Sequence, residues 1–387
     1  MTASGPTTAR LSPLDEVHRA SGASFTDFAG WQMPVRYSSD LAEHHAVRER
    51  AGLFDLSHMG EIVVFGPEAG AALDAALAGK LSAIAEGQAK YSLLLNADGG
   101  IVDDLVVYRT GPDRFMVVAN ASNREVVAAA LRERAASFDV EVFDESDDVA
   151  LIALQGPDAL EVLQETPGFG VEGPGNDDED FDARIADLKY YRAFAATYED
   201  QPLLVARTGY TGEDGFELYL APDRAPGLWQ ALRETGGSRV VPCGLASRDT
   251  LRLEAGMPLY GQELTTDTLP VQAGLGRVVA LSKDGDFVGR AAVERGPGAE
   301  APVLVGLTAE GRRAPRSGYE VYDGEGADAT RVGAVTSGAL SPSLGHPVAM
   351  AYVAPELAVA GSRLFVDVRG TRVPATVVDL PFYRRPD

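Results

Sequence analysis

The chain changes texture once, at ERGPGAEAP near residues 294–302, and that change constrains the fold more than any single motif. Before it, strand-like runs alternate with amphipathic helical ones. After it come only short β segments punctuated by Gly and Pro: PVLVGLTAEG, GYEVYD, RVGAVTSGALSPSLG, VAMAYVAP, RLFVDVRG and TRVPATVVDLPF. That is how a small all-β barrel or sandwich reads. At 387 residues the chain also exceeds the size at which one apolar core stops growing, so two or three cores are expected. The boundary therefore divides 1–295 from a C-terminal β domain at 296–387.

Within the first part, hydrophobic periodicity predicts the elements. SSDLAEHHAVRERAGLF is a helix, with Ser38 or Ser39 as N-cap and Gly52 as its stop. EIVVFG is a strand and GPEAGAALDAALAG a helix. YSLLLN, IVDDLVVY and RFMVVAN follow as strands, then SNREVVAAALRERAASF as a helix. DVALIALQG and PDALEVLQE repeat strand then helix; RAFAATYED and QPLLVARTGY are strands; APDRAPGLWQALRETGG, CGLASRDTLRLEAG and FVGRAAVERG are helices. Two segments lack periodicity. Residues up to about Ser12 read as loose, and PGFGVEGPGNDDEDFD reads as a mobile acidic surface loop.

Charge and composition exclude several function classes. With 57 acidic residues against 34 basic, the formal charge is −23. A phosphate-rich partner would be repelled, so neither nucleic acid nor anionic lipid is expected. Cys243 is the only cysteine, which rules out an internal disulfide and a multi-Cys metal site. The five histidines, His18, His44, His45, His58 and His346, show no HxxxH spacing, and no metal is expected. The first twenty residues lack the apolar core of a signal peptide and no run is long enough to span a membrane, so the expectation is a cytoplasmic protein. RTGYTGEDGFE is glycine-rich but has neither GxGxxG nor GKS/T spacing, so no NAD or ATP is expected.

Three constellations could carry chemistry. Asp103–Asp104 sits between Gly99–Gly100 and Leu105–Tyr108. On a strand, Asp104, Val106 and Tyr108 would share one face, and Asp103, Leu105 and Val107 the other. Two aspartates among apolar strand residues require explanation, although the pattern alone leaves a solvated strand-start pair open. In RTGYTGEDGFELYL the glycines would let backbone approach a ligand, and Tyr210 and Phe216 could sandwich a planar ring. Glu217, facing the same way as Tyr219, could accept two parallel hydrogen bonds from a heterocycle, while Glu213 and Asp214 suit a solvated turn tip. In CGLASRDTLRLEAGMPLYGQEL, Arg248 could meet a carboxylate or ring oxygen, though ion pairs within the chain are the alternative fate of such residues.

Taken together, these blocks resemble the T-protein (aminomethyltransferase) family of the glycine cleavage system. The resemblance runs from PLDEVH at Pro13 to PFYRR at the end. It includes DFAGWQMPVRY, EHHAVRERAGLFDLSHMG, KYSLLLNADGGIVDDLVVY, LIALQGP, RTGYTGEDGFE, GLASRDTLRLEAGMPLYGQEL and TSGALSPSLG, in the family's order. The resemblance implies an α+β fold: a three-domain cloverleaf around a central channel, with two interleaved α/β-type domains and a C-terminal all-β barrel. The smaller interleaved domain would take roughly 53–150 and parts of 190–225. Carried over, Asp104 matches the catalytic aspartate, Glu217 the pterin-binding carboxylate and Arg248 a further folate-site residue. Tyr91, Tyr108, Asn120 and Tyr210 match positions expected to line the pocket. The tail after Phe382 varies in the family, which leaves Tyr383 or Arg384 as a bare expectation there.

The implied activity is release of ammonia from an aminomethyl group carried on the dihydrolipoyl arm of the H-protein, with the methylene passed to tetrahydrofolate. The partners are thus a lipoylated H-protein and tetrahydrofolate as acceptor substrate. An alternative in the same fold is a folate-dependent demethylase acting on a methylated amine or sulfonium donor. A third reading, a folate-binding accessory protein for iron–sulfur maintenance, would want a cysteine near YGQE, and GMPLYGQE has none. The acidic carrier expected here would also call for a local arginine patch despite the net charge.

Overall fold

The computed structural model describes residues 9–172 and 180–385. By contact the chain forms two compact units. One takes the described residues of Met1–Glu61, Asp144–Gly209 and Glu213–Arg248; the other takes Ile62–Phe143, Tyr210–Gly212 and those of Asp249–Asp387.

The first unit is built on a seven-stranded sheet in the order Phe169–Val171, Ala193–Tyr198, Gln201–Ala206, Gly215–Leu220, Ala150–Gln155, Ala51–Asp55, Val240–Pro242. All neighbours run antiparallel except the last pair, which is parallel. One face is covered by helices whose apolar stripes supply Val162, Leu163, Ile185, Leu228, Trp229 and Leu232 to the core. A second, three-stranded sheet joins Arg10–Leu11, Trp31–Arg36 and Ser24–Phe28. Periodicity does not mark Arg10–Leu11 and Ser24–Phe28, which have no buried position to set an alternation.

The second unit holds a five-stranded sheet in the order Ala89–Leu95, Ile101–Gly111, Arg114–Ala119, Gly60–Phe65, Glu141–Asp144. Helices Ala69–Ala76 and Arg124–Ala135 pack on it through Leu73, Val127 and Leu131. Residues from Val303 onward close a six-stranded barrel, in the order Val303–Ala309, Pro347–Val353, Arg331–Leu340, Glu320–Tyr322, Arg363–Val368, Thr371–Val378. Its interior is Val305, Leu307, Val321, Ala351, Leu364, Val366 and their neighbours, aliphatic residues without rings that fit a narrow bore. The fold is thus mixed α and β with a C-terminal closed barrel.

Four local expectations need correction. Ser12 is not loose: it is buried, and its hydroxyl bonds the Asp55 carboxylate, while Arg10–Leu11 pairs with Trp31 and Gln32. The helix with Ser39 as N-cap, whose Oγ accepts from the Ala42 amide, ends at Glu49. Gly52 lies inside the next strand, where a Cβ would meet Val47 Cγ2 at 2.3 Å. The acidic loop is ordered at both ends, because its aromatic residues find partners: Phe169–Val171 joins the sheet edge, and Phe169 stacks on Phe181 of helix Phe181–Asp187 at 4.8 Å. Residues 173–179 of that loop lie outside the described residues. Finally, Phe216 belongs to the core of the first unit and is fully buried, so it is not half of a ring sandwich.

Candidate functional site

The turn before Ile101–Gly111 is set by Asn96, whose Oδ1 accepts from the amides of Asp98 and Gly100 and whose Nδ2 donates to Thr266 O at 2.9 Å. Gly100 lies so close to Thr266 that a Cβ would stand 1.7 Å from its carbonyl oxygen. Across the ladder Leu94 faces Asp103 but Leu95 faces Ile101, so Val102 bulges out. Such a bulge re-aims the side chains beside it.

The two aspartates follow the bulge. Asp103 is fully buried (0% exposed), while Asp104 is half-buried. Tyr91 OH donates to Asp104 Oδ2 at 3.0 Å, and Asn120 Nδ2 donates to Asp104 Oδ1 at 2.9 Å. The same Nδ2 lies 2.8 Å from Asp103 Oδ1, which also accepts from Asn123 Nδ2 at 2.8 Å, and Asp103 Oδ2 accepts from the Asn120 amide at 3.1 Å. Opposite faces of a strand therefore do not separate the two carboxylates, because one side-chain amide reaches both. Tyr260 completes the group through a hydrogen bond with Asn123. Burial, and then the charge on Asp104, push Asp103 up to about 7 against the donors that hold it. Burial also raises Asp104, opposed by Tyr91 and Asn120. Among the described residues no arginine, lysine or histidine pairs with either carboxylate.

Of the expected residues, the structure brings Asp104, Tyr91 and Asn120 together. Tyr108 is buried on the same strand, with Ala89 and Met116 opposite it. Tyr210 belongs to the same unit, where its hydroxyl donates to Pro258 O, two residues before Tyr260. Asn123 and Tyr260 escaped the sequence reading. Asn123 looks like an ordinary start for the helix Arg124–Ala135, and only the pairing of strands could reveal what its side chain meets.

Glu217 stands in the first unit, on the strand Gly215–Leu220. Its Oε2 accepts from Thr208 Oγ1 at 2.5 Å and from Tyr219 OH at 3.3 Å, so Glu217 and Tyr219 do share a face. The loop before it is not a solvated tip. Glu213 pairs with Arg48 at 2.8 Å with both side chains 5% exposed, and Asp214 takes two bonds from Arg207. The glycines admit Gln155 rather than a ligand: a Cβ on Gly209 would lie 2.0 Å from Gln155 Oε1, and one on Gly215 2.6 Å from Gln155 Nε2. Gln155 Nε2 in turn donates to Thr208 O at 3.0 Å, tying the loop to the neighbouring strand.

Arg248, near the start of helix Leu245–Glu254, is half-buried. Its charge acts on His58, a buried ring that burial pushes down to about 4 against the pull of Asp55, with Arg248 adding to the shift. His58 Nδ1 has no hydrogen-bond partner among the described residues. Arg252, four residues on, forms ion pairs with Asp249 and Glu263. Cys243 is buried and its thiol is pushed well up by burial, which disqualifies it as a nucleophile. Among the described residues no cluster of His, Cys, Asp and Glu could hold a metal ion, and no helix is long and apolar enough to cross a membrane.

Comparison with known proteins adds the following. Residues 14–283 match the GCVT N-terminal domain, and residues 303–384 match the glycine cleavage T-protein C-terminal barrel domain. The aminomethyltransferase of Cutibacterium acnes is 59% identical over 379 residues, covering 98% of this chain and 100% of that protein. That of Streptomyces coelicolor is 54% identical over 382 residues, covering 97% and 98%. Among solved structures, the glycine cleavage system aminomethyltransferase T from Bartonella henselae superposes with a TM-score of 0.85 at 39% identity, over 97% of this chain and 98% of that one.

Proposed function

The chain belongs to the glycine cleavage T-protein family and is an aminomethyltransferase, and from that premise we propose that Asp104 is the carboxylate facing the carbon in transfer. Relatives of that name match along the full length, which favours this activity over a demethylase using a methylated amine or sulfonium donor.

Aminomethyltransferases use tetrahydrofolate as a substrate. In our reading the donor is an aminomethyl group on the dihydrolipoyl sulfur of the H-protein. Its C–N and C–S bonds break and two bonds from the methylene carbon to folate nitrogens form. The two folate N–H protons leave on the ammonia and the thiol, so the step is redox-neutral and needs no oxidant. Positive charge grows on the transferred carbon as either bond breaks. A fixed carboxylate stabilises such a centre more than mobile water does, because its orientation is already set. Tyr91 and Asn120 supply that orientation, and among the described residues no cation pairs with Asp104. This carboxylate, held by two neutral donors, is the observation that carries the reading.

We assign pterin recognition to Glu217, an acceptor suited to adjacent ring N–H donors and backed by Thr208 and Tyr219. Arg248, with its guanidinium, is assigned to an acidic or carbonyl group of the acceptor, and Tyr108 and Tyr210 to its aromatic surroundings. We place the work of the enzyme in the cytoplasm.

The test is Asp104→Asn. Tetrahydrofolate binding should stay within about threefold, while turnover should fall by roughly 10²–10³, the usual loss of one preorganised electrostatic group. Turnover close to that of the unaltered enzyme would remove Asp104 from the role.

A further inference from the structure

Asp103 and Asp104 cannot be treated as independent acids. A side-chain amide has two N–H hydrogens, and those of Asn120 reach one carboxylate each, at 2.8 Å and 2.9 Å. Among the described residues the remaining side-chain partners are uncharged: Tyr91 on Ala89–Leu95 and Asn123 at the start of Arg124–Ala135, which is itself hydrogen-bonded with Tyr260. Two full charges sharing one amide, with no counterion among the described residues, would be costly, whereas one is readily held.

We propose that Asp103 and Asp104 act as a single acid pair bridged by Asn120, which on the acid side of neutrality holds one proton on Asp103 and one negative charge on Asp104. Exposure decides which member keeps the proton. Asp103 is sealed in the sheet, so its charge would be the more poorly solvated, while Asp104 retains contact with the surroundings. Three N–H donors favour an ionised Asp103, but burial and the neighbouring charge outweigh them, which is why it titrates near 7 rather than 4. The titratable groups facing the pair are Tyr91 and Tyr260. Burial and the two carboxylates raise Tyr260, which therefore stays a neutral donor. Asp103 is thus a positioning residue. Sealed from the surface, it leaves Asp104 with a single charge to set against a single developing positive centre. This last consequence rests on the role proposed for Asp104; the pairing itself does not.

Infrared titration of the intact protein, without donor or folate, tests the pairing. Between pH 6 and 9 nearly all other carboxyls are ionised, so the carbonyl band of a protonated buried acid stands out. The band is expected in the unaltered protein, with a midpoint near 7, and to be lost in Asp103→Asn. In Asp104→Asn the midpoint should fall by about a unit, since the neighbouring charge is gone. In Asn120→Ala it should rise, since the ionised form loses its donors. No band at pH 6, a band that survives Asp103→Asn, or a midpoint unmoved by both other variants would overturn the pair. Turnover of the parent enzyme should change with pH around 7 and that of Asp103→Asn should not; the same profile in both would also count against the pair. Because the spectra need no substrate, loss of the pairing and loss of the role of Asp104 are read separately.

Discussion

Asp55 shows how one residue can order a segment that periodicity leaves blank. Its carboxylate is fully enclosed and accepts from Ser12 Oγ and from the Ser57 amide at 2.9 Å, and His18 Nε2 stands 2.7 Å away. His18 Nδ1 meets Tyr37 OH at 2.9 Å, and Trp229 packs edge-on against the ring. Burial would raise this acid, but His18, Ser12 and Ser57 outweigh it and hold Asp55 below the usual carboxylate range. A depressed native pKa stabilises the fold above the unfolded value and loses that stabilisation as pH falls through the native one. Asp55→Asn should therefore cost about 3–5 kcal/mol at pH 7, through an unbalanced buried network. Its stability should also decline less steeply than that of the parent below about pH 4. Urea unfolding at a series of pH values measures both. Parallel acid limbs would mean that Asp55 is not the titrating group.

At the scale of elements, the loop from Arg207 to Gly215 is held by a neighbour that its own sequence does not mention. Gln155 occupies the space left by Gly209 and Gly215, and its amide caps Thr208 O. Gly209→Ala should therefore displace the loop and cost about 1–3 kcal/mol. In Gln155→Ala the same change should cost much less, since the colliding oxygen is gone; a double-mutant cycle in melting temperature gives the coupling. Additive losses would show that Gly209 is needed for its backbone instead. This loop also marks the limit of legibility. The strands Ile101–Gly111 and Gly215–Leu220, the major helices and the closing β region follow from apolar periodicity and Gly/Pro punctuation in the chain itself. The order of strands does not, and so Gln155, Asn123 and Tyr260 carried no local signal. Asp104 was ambiguous from its strand alone, and the resemblance to a family singled it out. The bulge at Val102, which brings Asp103 onto the same amide, is visible only once the ladder with Ala89–Leu95 is known.

Over the whole molecule, the charge of −23 acts against the compact state while the arginines are drawn into specific ties. Arg48–Glu213 and Arg252–Glu263 are buried, and the latter guanidinium also reaches Ser337 on the barrel strand Arg331–Leu340. Arg10–Asp147, Arg239–Glu165 and Arg290–Glu294 lie at the surface. Exposed pairs contribute about 0–1 kcal/mol each and fade with salt, whereas buried pairs are screened little. Repulsion among the surplus carboxylates is long-ranged and is screened once the Debye length drops from roughly 30 Å at 0.01 M to 10 Å at 0.1 M. The two effects oppose each other at the surface, and the excess of 57 acidic over 34 basic side chains decides the sign. The melting temperature should therefore rise as sodium chloride is increased over that range, by more than the weakening of the surface pairs takes away. Calorimetry at fixed pH gives the answer directly. A melting temperature that falls with salt would mean that surface ion pairs, not the surplus of negative charge, dominate the electrostatics of this fold.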